Sequence, residues 1–343
     1  MSTIVFRTLD GVEYAVPADS HTPLLSAAQA QGYVLVSMCR HGHCGTCRSQ
    51  LVRGKVHMSE HSSSALSEAD EQAGGVLLCC GYADTDALIE LPYDSSRVGS
   101  ATVPVRQVKI SALDFWPGEV ARLVVAAVED PMYGTAIQFN PGQFAELTPP
   151  GGTQFRAYSF ASAANQGGTA EFYIKLHQGG YFSDYLTGQA KIGDVLRMRG
   201  PQGAFRLHEN GPRPRWMVCG GTGLAPAMSM LRRMAERGET QEALLIFGVN
   251  CPDEVFAVGD MAGLGANLPS LRTVVTVTEP DPSWTGAVGT AADILGAELA
   301  SRAPGAEFPD IYLCGPPAFL DAAQATAVQH MVPAAQIYDE RAS

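Results

Sequence analysis

Cys39, Cys44 and Cys47 stand in the run CRHGHCGTC, and Cys79 follows after 31 intervening residues. Three thiols on one short loop and a fourth at a distance match the C-x4-C-x2-C…C spacing of a plant-type 2Fe-2S cluster. The reason is geometric. Two irons need four thiolates closing round a compact core, and one tight loop supplies three. Gly42 and Gly45 let that loop bend so that its N–H groups point at the sulfurs, bonds that tune a reduction potential. A zinc ribbon would bring two C-x2-C pairs where this chain has one. A redox dithiol at Cys44 and Cys47 leaves Cys39 unexplained. A Rieske centre needs a second Cys–His pair, so His41 and His43 read as loop residues. In GVLLCCGY, Cys79 and Cys80 end an apolar stretch read as a strand. Adjacent strand residues face opposite ways, so only one of the two would reach the cluster.

Three further runs could bind nucleotides. RAYSFAS sets Arg156 and Tyr158 on one face of a strand, beside Ser159. A guanidinium can grip a pyrophosphate while a phenol ring packs on a flavin. GGYFSDYL reads as a glycine turn opening a helix, whose free N–H groups suit a phosphate. CGGTGLAPAMSML reads as a buried strand ending at Cys219, a turn of Gly220, Gly221 and Gly223, and a helix. That arrangement lets a dinucleotide approach the backbone, although it is not the G-x-G-x-x-G fingerprint. YLCGPP repeats the strand-then-turn pattern at Cys314, Gly315, Pro316 and Pro317. The segment 246–262, after the second such strand, holds Asp253, Glu254 and Asp260 and no Lys or Arg. A 2′-phosphate would meet repulsion there, which favours NADH over NADPH.

The elements around these runs fall into three groups. TIVFRTL, Asp10-Gly11 and VEYAVPA read as a hairpin, and TPLLSAAQAQG as a short helix. Ser67 with Asp70 resembles a capping box. DSSRVGS reads as a linker closing a β-grasp module over 1–98. Six short strands over 99–211 suggest a small antiparallel barrel. Strands alternating with helices over 212–343 imply a parallel α/β sheet.

The 343 residues are 46% apolar and 17% charged, ordinary for a globular chain. No run of eighteen apolar residues suggests a spanning helix. The start, MSTIVFRTLDG, lacks an export pattern, so a cytoplasmic protein with reduced cysteines is expected. The net charge of −12 divides as −5, 0 and −7 over the three segments. Nucleic acid and anionic membrane are poor partners for such a surface.

Taken together, CRHGHCGTC, LLC, ELPY, PGQF, RAYS, GGYFSDYL, GPQGAF, GGTGLAP, FGVN and YLCGPP resemble one family along essentially the whole chain. It is the flavin- and iron–sulfur-containing reductases of bacterial multicomponent oxygenases. The resemblance is strongest to those serving soluble methane monooxygenase and related di-iron alkene, phenol and toluene monooxygenases. It implies that Cys79 is the fourth cluster ligand. It implies that Arg156, Tyr158 and Ser159 bind FAD, with Gly180, Ser183 and Leu186 cradling its pyrophosphate. It implies an NADH site at Gly220, Gly221, Thr222, Gly223, Gly315 and Pro316. Ser159 would hydrogen-bond the flavin near its reacting nitrogen, and Cys314 would border the nicotinamide. NADH would give a hydride to FAD, the cluster would take the electrons singly, and an oxygenase component would receive them. A monomer is expected. The same cofactors could instead feed a Rieske dioxygenase or another ferredoxin-linked enzyme, or serve an iron–sulfur redox sensor. Relatives often end in an acidic-x-aromatic tail near the flavin. Here Ala342 falls at the aromatic position, and Tyr338 is the nearest substitute.

Overall fold

A computed structural model describes residues 2–100, 103–164, 167–208 and 211–341. The chain divides into two compact units. The first runs to Val103 and takes in Gln202–Ala204; the second holds Pro104–Pro201 and the chain from Phe205 onward.

In the first unit, β1 (Ser2–Arg7) and β2 (Glu13–Ala18) form the hairpin expected round Asp10-Gly11. Helix α1 (Leu24–Ala30) follows, then β3 (Arg48–Arg53), helix α2 (Glu68–Gln72), β4 (Gly75–Leu77) and β5 (Ala87–Glu90). The sheet order is β2-β1-β5-β3-β4, with β1 and β5 parallel across the middle, a β-grasp arrangement. Ser67 caps α2 by accepting the Asp70 N–H. DSSRVGS is not a free linker. Ser95 donates twice to Asp10, and Gly99–Ser100 pairs with Tyr33–Val34, so this stretch belongs to the first unit.

The second unit contains two sheets. The barrel strands are β6 (Val105–Trp116), β7 (Val120–Ala127), β8 (Phe144–Thr148), β9 (Arg156–Ser159), β10 (Thr169–Lys175) and β11 (Val195–Gln202). Their order is β9-β8-β11-β6-β7-β10. A bridge between Phe160 and Phe172 joins the two ends of that order. Helix α3 (Tyr181–Gly188) plugs one side through Phe182, Tyr185 and Leu186. The parallel sheet comprises β12 (Arg215–Gly220), β13 (Ala243–Val249), β14 (Leu271–Val277), β15 (Ala287–Val288), β16 (Asp310–Gly315) and β17 (Ile337–Arg341), in the order β15-β14-β13-β12-β16-β17. Alternation decides its faces. Met217 and Cys219 pack toward α4 (Leu224–Glu236) and α5 (Val258–Asn267), and Trp216 and Val218 toward α6 (Ala291–Ala300) and α7 (Pro317–Gln329). The order reverses between β12 and β16, where ligands of such sheets bind at the carboxyl ends.

A buried ion network fastens barrel to sheet. Arg232 on α4 pairs with Glu171 of β10, and donates to the Ala161 carbonyl and to Asp260 of α5, both at 3.0 Å. The Tyr173 hydroxyl donates to the same Asp260 carboxylate at 3.0 Å. Removing one partner strands a buried charge. Because Asp260 is one-third exposed, Arg232→Ala is expected to cost about 3 kcal/mol, toward the low end for a broken buried pair. Denaturant unfolding followed by circular dichroism measures it. A loss under about 0.5 kcal/mol, the size of an ordinary surface change, would show that the network does not hold the seam.

Candidate cofactor sites

The loop Cys39–Cys47 leaves the β conformation three times, with positive φ at Arg40, Gly42 and Gly45. The two glycines bear the turn as the sequence suggests; Arg40 is a position that it did not reveal. The result is a backbone wrapped round one sulfur. The N–H groups of His41, His43 and Cys44 all point at Cys39 Sγ, at 3.5, 3.4 and 3.4 Å. Contacts with Cys44 and Cys79, then those N–H groups, hold the Cys39 thiol far below its ordinary range. Contact with that sulfur, then burial, pushes Cys44 up. Tyr93, from the ELPY run, anchors the approach: its buried hydroxyl accepts the Val36 N–H at 3.1 Å.

Cys79 and Cys80 do not lie on a strand. β4 ends at Leu77, and both residues sit in the turn that follows. The alternation that would send one of them away is therefore absent. Cys79 Sγ lies 3.3 Å from Cys47 Sγ and 3.5 Å from Cys80 Sγ. All five cysteines are buried and unbridged. Among the described residues no set of three or more His, Cys, Asp or Glu is disposed to hold a lone metal ion. What gathers here is sulfur alone, the donor set that suits an iron–sulfur core and not a hard cation.

In the barrel, β9 pairs with β8 so that Ala145 faces Tyr158 and Leu147 faces Arg156. Arg156 and Tyr158 meet successive residues of α3. The guanidinium stands 5.9 Å from the Tyr181 ring, and Tyr158 is tilted against Phe182 at 5.3 Å. Gly180 is the N-cap of α3, and Ser183 Oγ accepts the His177 N–H at 3.0 Å, which closes the turn. Leu186 is 2% exposed in the barrel core, so its contribution is to seat the helix. Ser159 is half-buried on the opposite face from Tyr158. Thr148 was not singled out in the sequence. Its Oγ1 is buried without a partner at the end of β8, beside Gly152 and Tyr181, an orphan that a bound polar group could satisfy.

At the sheet switch, the glycines divide by role. A Cβ on Gly223 would lie 2.2 Å from the Cys314 carbonyl oxygen, so this glycine lets the turn press on the end of β16. Gly221, at φ +54°, has open space above it. Thr222 between them is half-exposed. At Gly220 and Gly315 the Phe319 ring of α7 stands 2.9 and 2.8 Å from where their Cβ atoms would sit, so both positions need glycine for that ring to pack. Pro316 and Pro317 lack N–H donors, so the start of α7 is a poor anion site. The Cys314 side chain is 2% exposed beside Cys219, and burial keeps its thiol protonated. Of the acids counted against a 2′-phosphate, Asp260 is taken by Arg232, and Glu254 accepts the Asn250 N–H at 2.9 Å. Tyr338 is stacked on His208 and Tyr312, at 4.3 and 5.0 Å. Ala342 lies outside the described residues.

Family models match in the same order: a 2Fe-2S iron-sulfur cluster binding domain over residues 7–84, an oxidoreductase FAD-binding domain over 123–207 and an oxidoreductase NAD-binding domain over 217–325. The chain is 32% identical to the reductase component of propane 2-monooxygenase from Rhodococcus jostii (strain RHA1), across 98% of this chain and 90% of the relative. The chain belongs to the reductase components of multicomponent oxygenases. It is also 34% identical to methane monooxygenase component C of Methylosinus trichosporium, over 87% of each. It is 32% identical to the toluate 1,2-dioxygenase electron transfer component of Pseudomonas putida, over 97% of this chain and 96% of that one.

This reductase carries 2Fe-2S, FAD-binding and NAD-binding domains in one chain. No helix among the described residues is long and apolar enough to cross a membrane. Gly223→Ala is expected to lower kcat/KM for NADH about a hundredfold by displacing the turn, while FAD stays bound. Gly188→Ala, with nothing within 4 Å of its Cβ position, is the neutral control. Ferricyanide kinetics measure both; equal constants would mean that the turn yields freely.

Proposed function

We propose that this reductase takes NADH in preference to NADPH, works as a monomer in the cytoplasm and supplies single electrons to a di-iron hydroxylase. The observation that carries the electron-transfer reading is the buried set of thiols round Cys39, with three N–H groups aimed at one sulfur. Cys39, Cys44, Cys47 and Cys79 would hold the cluster. When bound, the FAD accepts a hydride and the cluster passes electrons on one at a time.

The residues' part is to position and exclude. Arg156 would neutralise the FAD pyrophosphate, helped by the N–H groups that Gly180 and Ser183 hold open at the start of α3. Tyr158 would lie along the flavin, and Ser159 would hydrogen-bond it from the next pleat. Gly221, Thr222 and Gly223 would receive the nicotinamide nucleotide at the sheet switch. Cys314, buried and protonated, would border the nicotinamide through its backbone and would move no proton.

The hydroxylase type rests on the ELPY and FGVN runs and on the methane and propane relatives. The toluate relative supports a second reading, in which the acceptor is a dioxygenase component. Turnover with purified components of each kind separates the two.

Two outcomes test the reading. NADH should exceed NADPH in kcat/KM by at least about tenfold, roughly 1.4 kcal/mol. Asp253 and Glu254 lie beside the end of β13, and Arg232 is already committed to two carboxylates. Equal constants would mean that a cation reaches the ribose from elsewhere. A fragment starting at Pro104 should keep FAD and reduce ferricyanide with NADH, yet fail to support an oxygenase. Support equal to that of the full chain would overturn the order flavin, cluster, partner.

A further inference from the structure

Five cysteines occupy the first unit, and a 2Fe-2S cluster uses four. The fifth, Cys80, is 5% exposed, at the edge of the first unit's apolar core where that core meets the cysteine loop. A Cβ on Gly42, at the apex of the cysteine loop, would lie 2.7 Å from Cys80 Sγ. The sulfur therefore stands against the loop that carries three of the ligands. It also lies 3.5 Å from Cys79 Sγ.

That distance has a consequence. Thiolate–metal bonds are about 2.3 Å long, and two sulfurs in a tetrahedral shell then lie roughly 3.7 Å apart. Cys79 and Cys80 are close enough for a single position to be within bonding reach of both. The turn is also pinned on both sides. Leu78 N–H donates to the Cys47 carbonyl, Cys80 N–H to the Leu77 carbonyl, and the Cys80 carbonyl accepts from Ser59. Exchange of one sulfur for the other needs a side-chain rotation and no change of fold. Cys79 has the better position, because it also touches Cys47.

We propose that Cys80 is a reserve ligand, able to replace Cys79 on the same iron. The inference rests on the 2Fe-2S reading and is tested by metal content and spectra. Cys79→Ala, Cys80→Ala and the double variant are made in the full chain and reconstituted anaerobically with ferrous iron and sulfide. Iron, acid-labile sulfide and the EPR signal after dithionite reduction are then recorded, with FAD content and far-UV circular dichroism as checks of folding.

Cys80→Ala is expected to match the parent. Cys79→Ala is expected to keep most of its iron and sulfide but with shifted g values, and the double variant to lose both. The proposal is overturned if Cys79→Ala loses iron as completely as the double variant, or if the double variant keeps what Cys79→Ala keeps. Should Cys79→Ala fail to fold, Cys79→Ser is compared with Cys79→Ser/Cys80→Ala. A cluster present in both would be serine-ligated and would overturn the idea; a cluster only in the first supports it. A parent chain that takes up no cluster would instead sink the 2Fe-2S reading itself.

Discussion

Nine residues, Cys39–Cys47, must turn three thiols inward while their own N–H groups find acceptors in a buried place. Sulfur is the acceptor available, and Cys39 Sγ takes three N–H groups. Satisfying buried donors in this way is obligatory. It requires left-handed backbone at residues 40, 42 and 45, and so it accounts for both glycines of the loop. The rest of the first unit supports this turn. Tyr93 holds Val36 at its entrance, Ala65 closes on Gly45, and Cys80 with His61 forms the wall against Gly42.

The other two sites follow a similar logic with different atoms. Each is the end of a strand followed by a turn that brings backbone N–H groups forward. At Gly180 the turn opens α3 beside Arg156 and Tyr158; at Gly221–Gly223 it opens α4 beside the end of β16. Fixed dipoles and close backbone approach suit phosphate groups, and the barrel and sheet keep the two turns in place. The Arg232 network makes barrel and sheet one unit, so their spacing does not depend on loops alone.

What was legible in the sequence was local. Spacing within one loop marks the cluster cysteines, and period-two alternation marks the six barrel strands to within a few residues. The parallel sheet is visible from its strand–glycine–helix units. What was not legible depends on contacts between distant residues. Nothing near Gly220 or Gly315 says that Phe319 will occupy the space they leave, since the ring arrives from α7. Asp260 looks free until Arg232 comes across from α4. Cys79 and Cys80 look like strand neighbours because GVLL is apolar, but the strand stops at Leu77 and the turn puts both sulfurs on one side. DSSRVGS has linker composition, yet Asp10 and Tyr33–Val34 recruit it. Composition reports what a segment could do alone, and tertiary partners decide the remainder.

The central claim is that electrons entering from NADH leave one at a time through the thiol-bound cluster. Anaerobic mixing of the full reductase with NADH, sampled by rapid freezing and EPR and followed in parallel by flavin absorbance, tests it most directly. The account predicts that flavin bleaching precedes the signal of a reduced 2Fe-2S cluster, which then grows toward one spin per chain. A chain that bleaches its flavin but never develops that signal, or one in which zinc replaces iron, would contradict it.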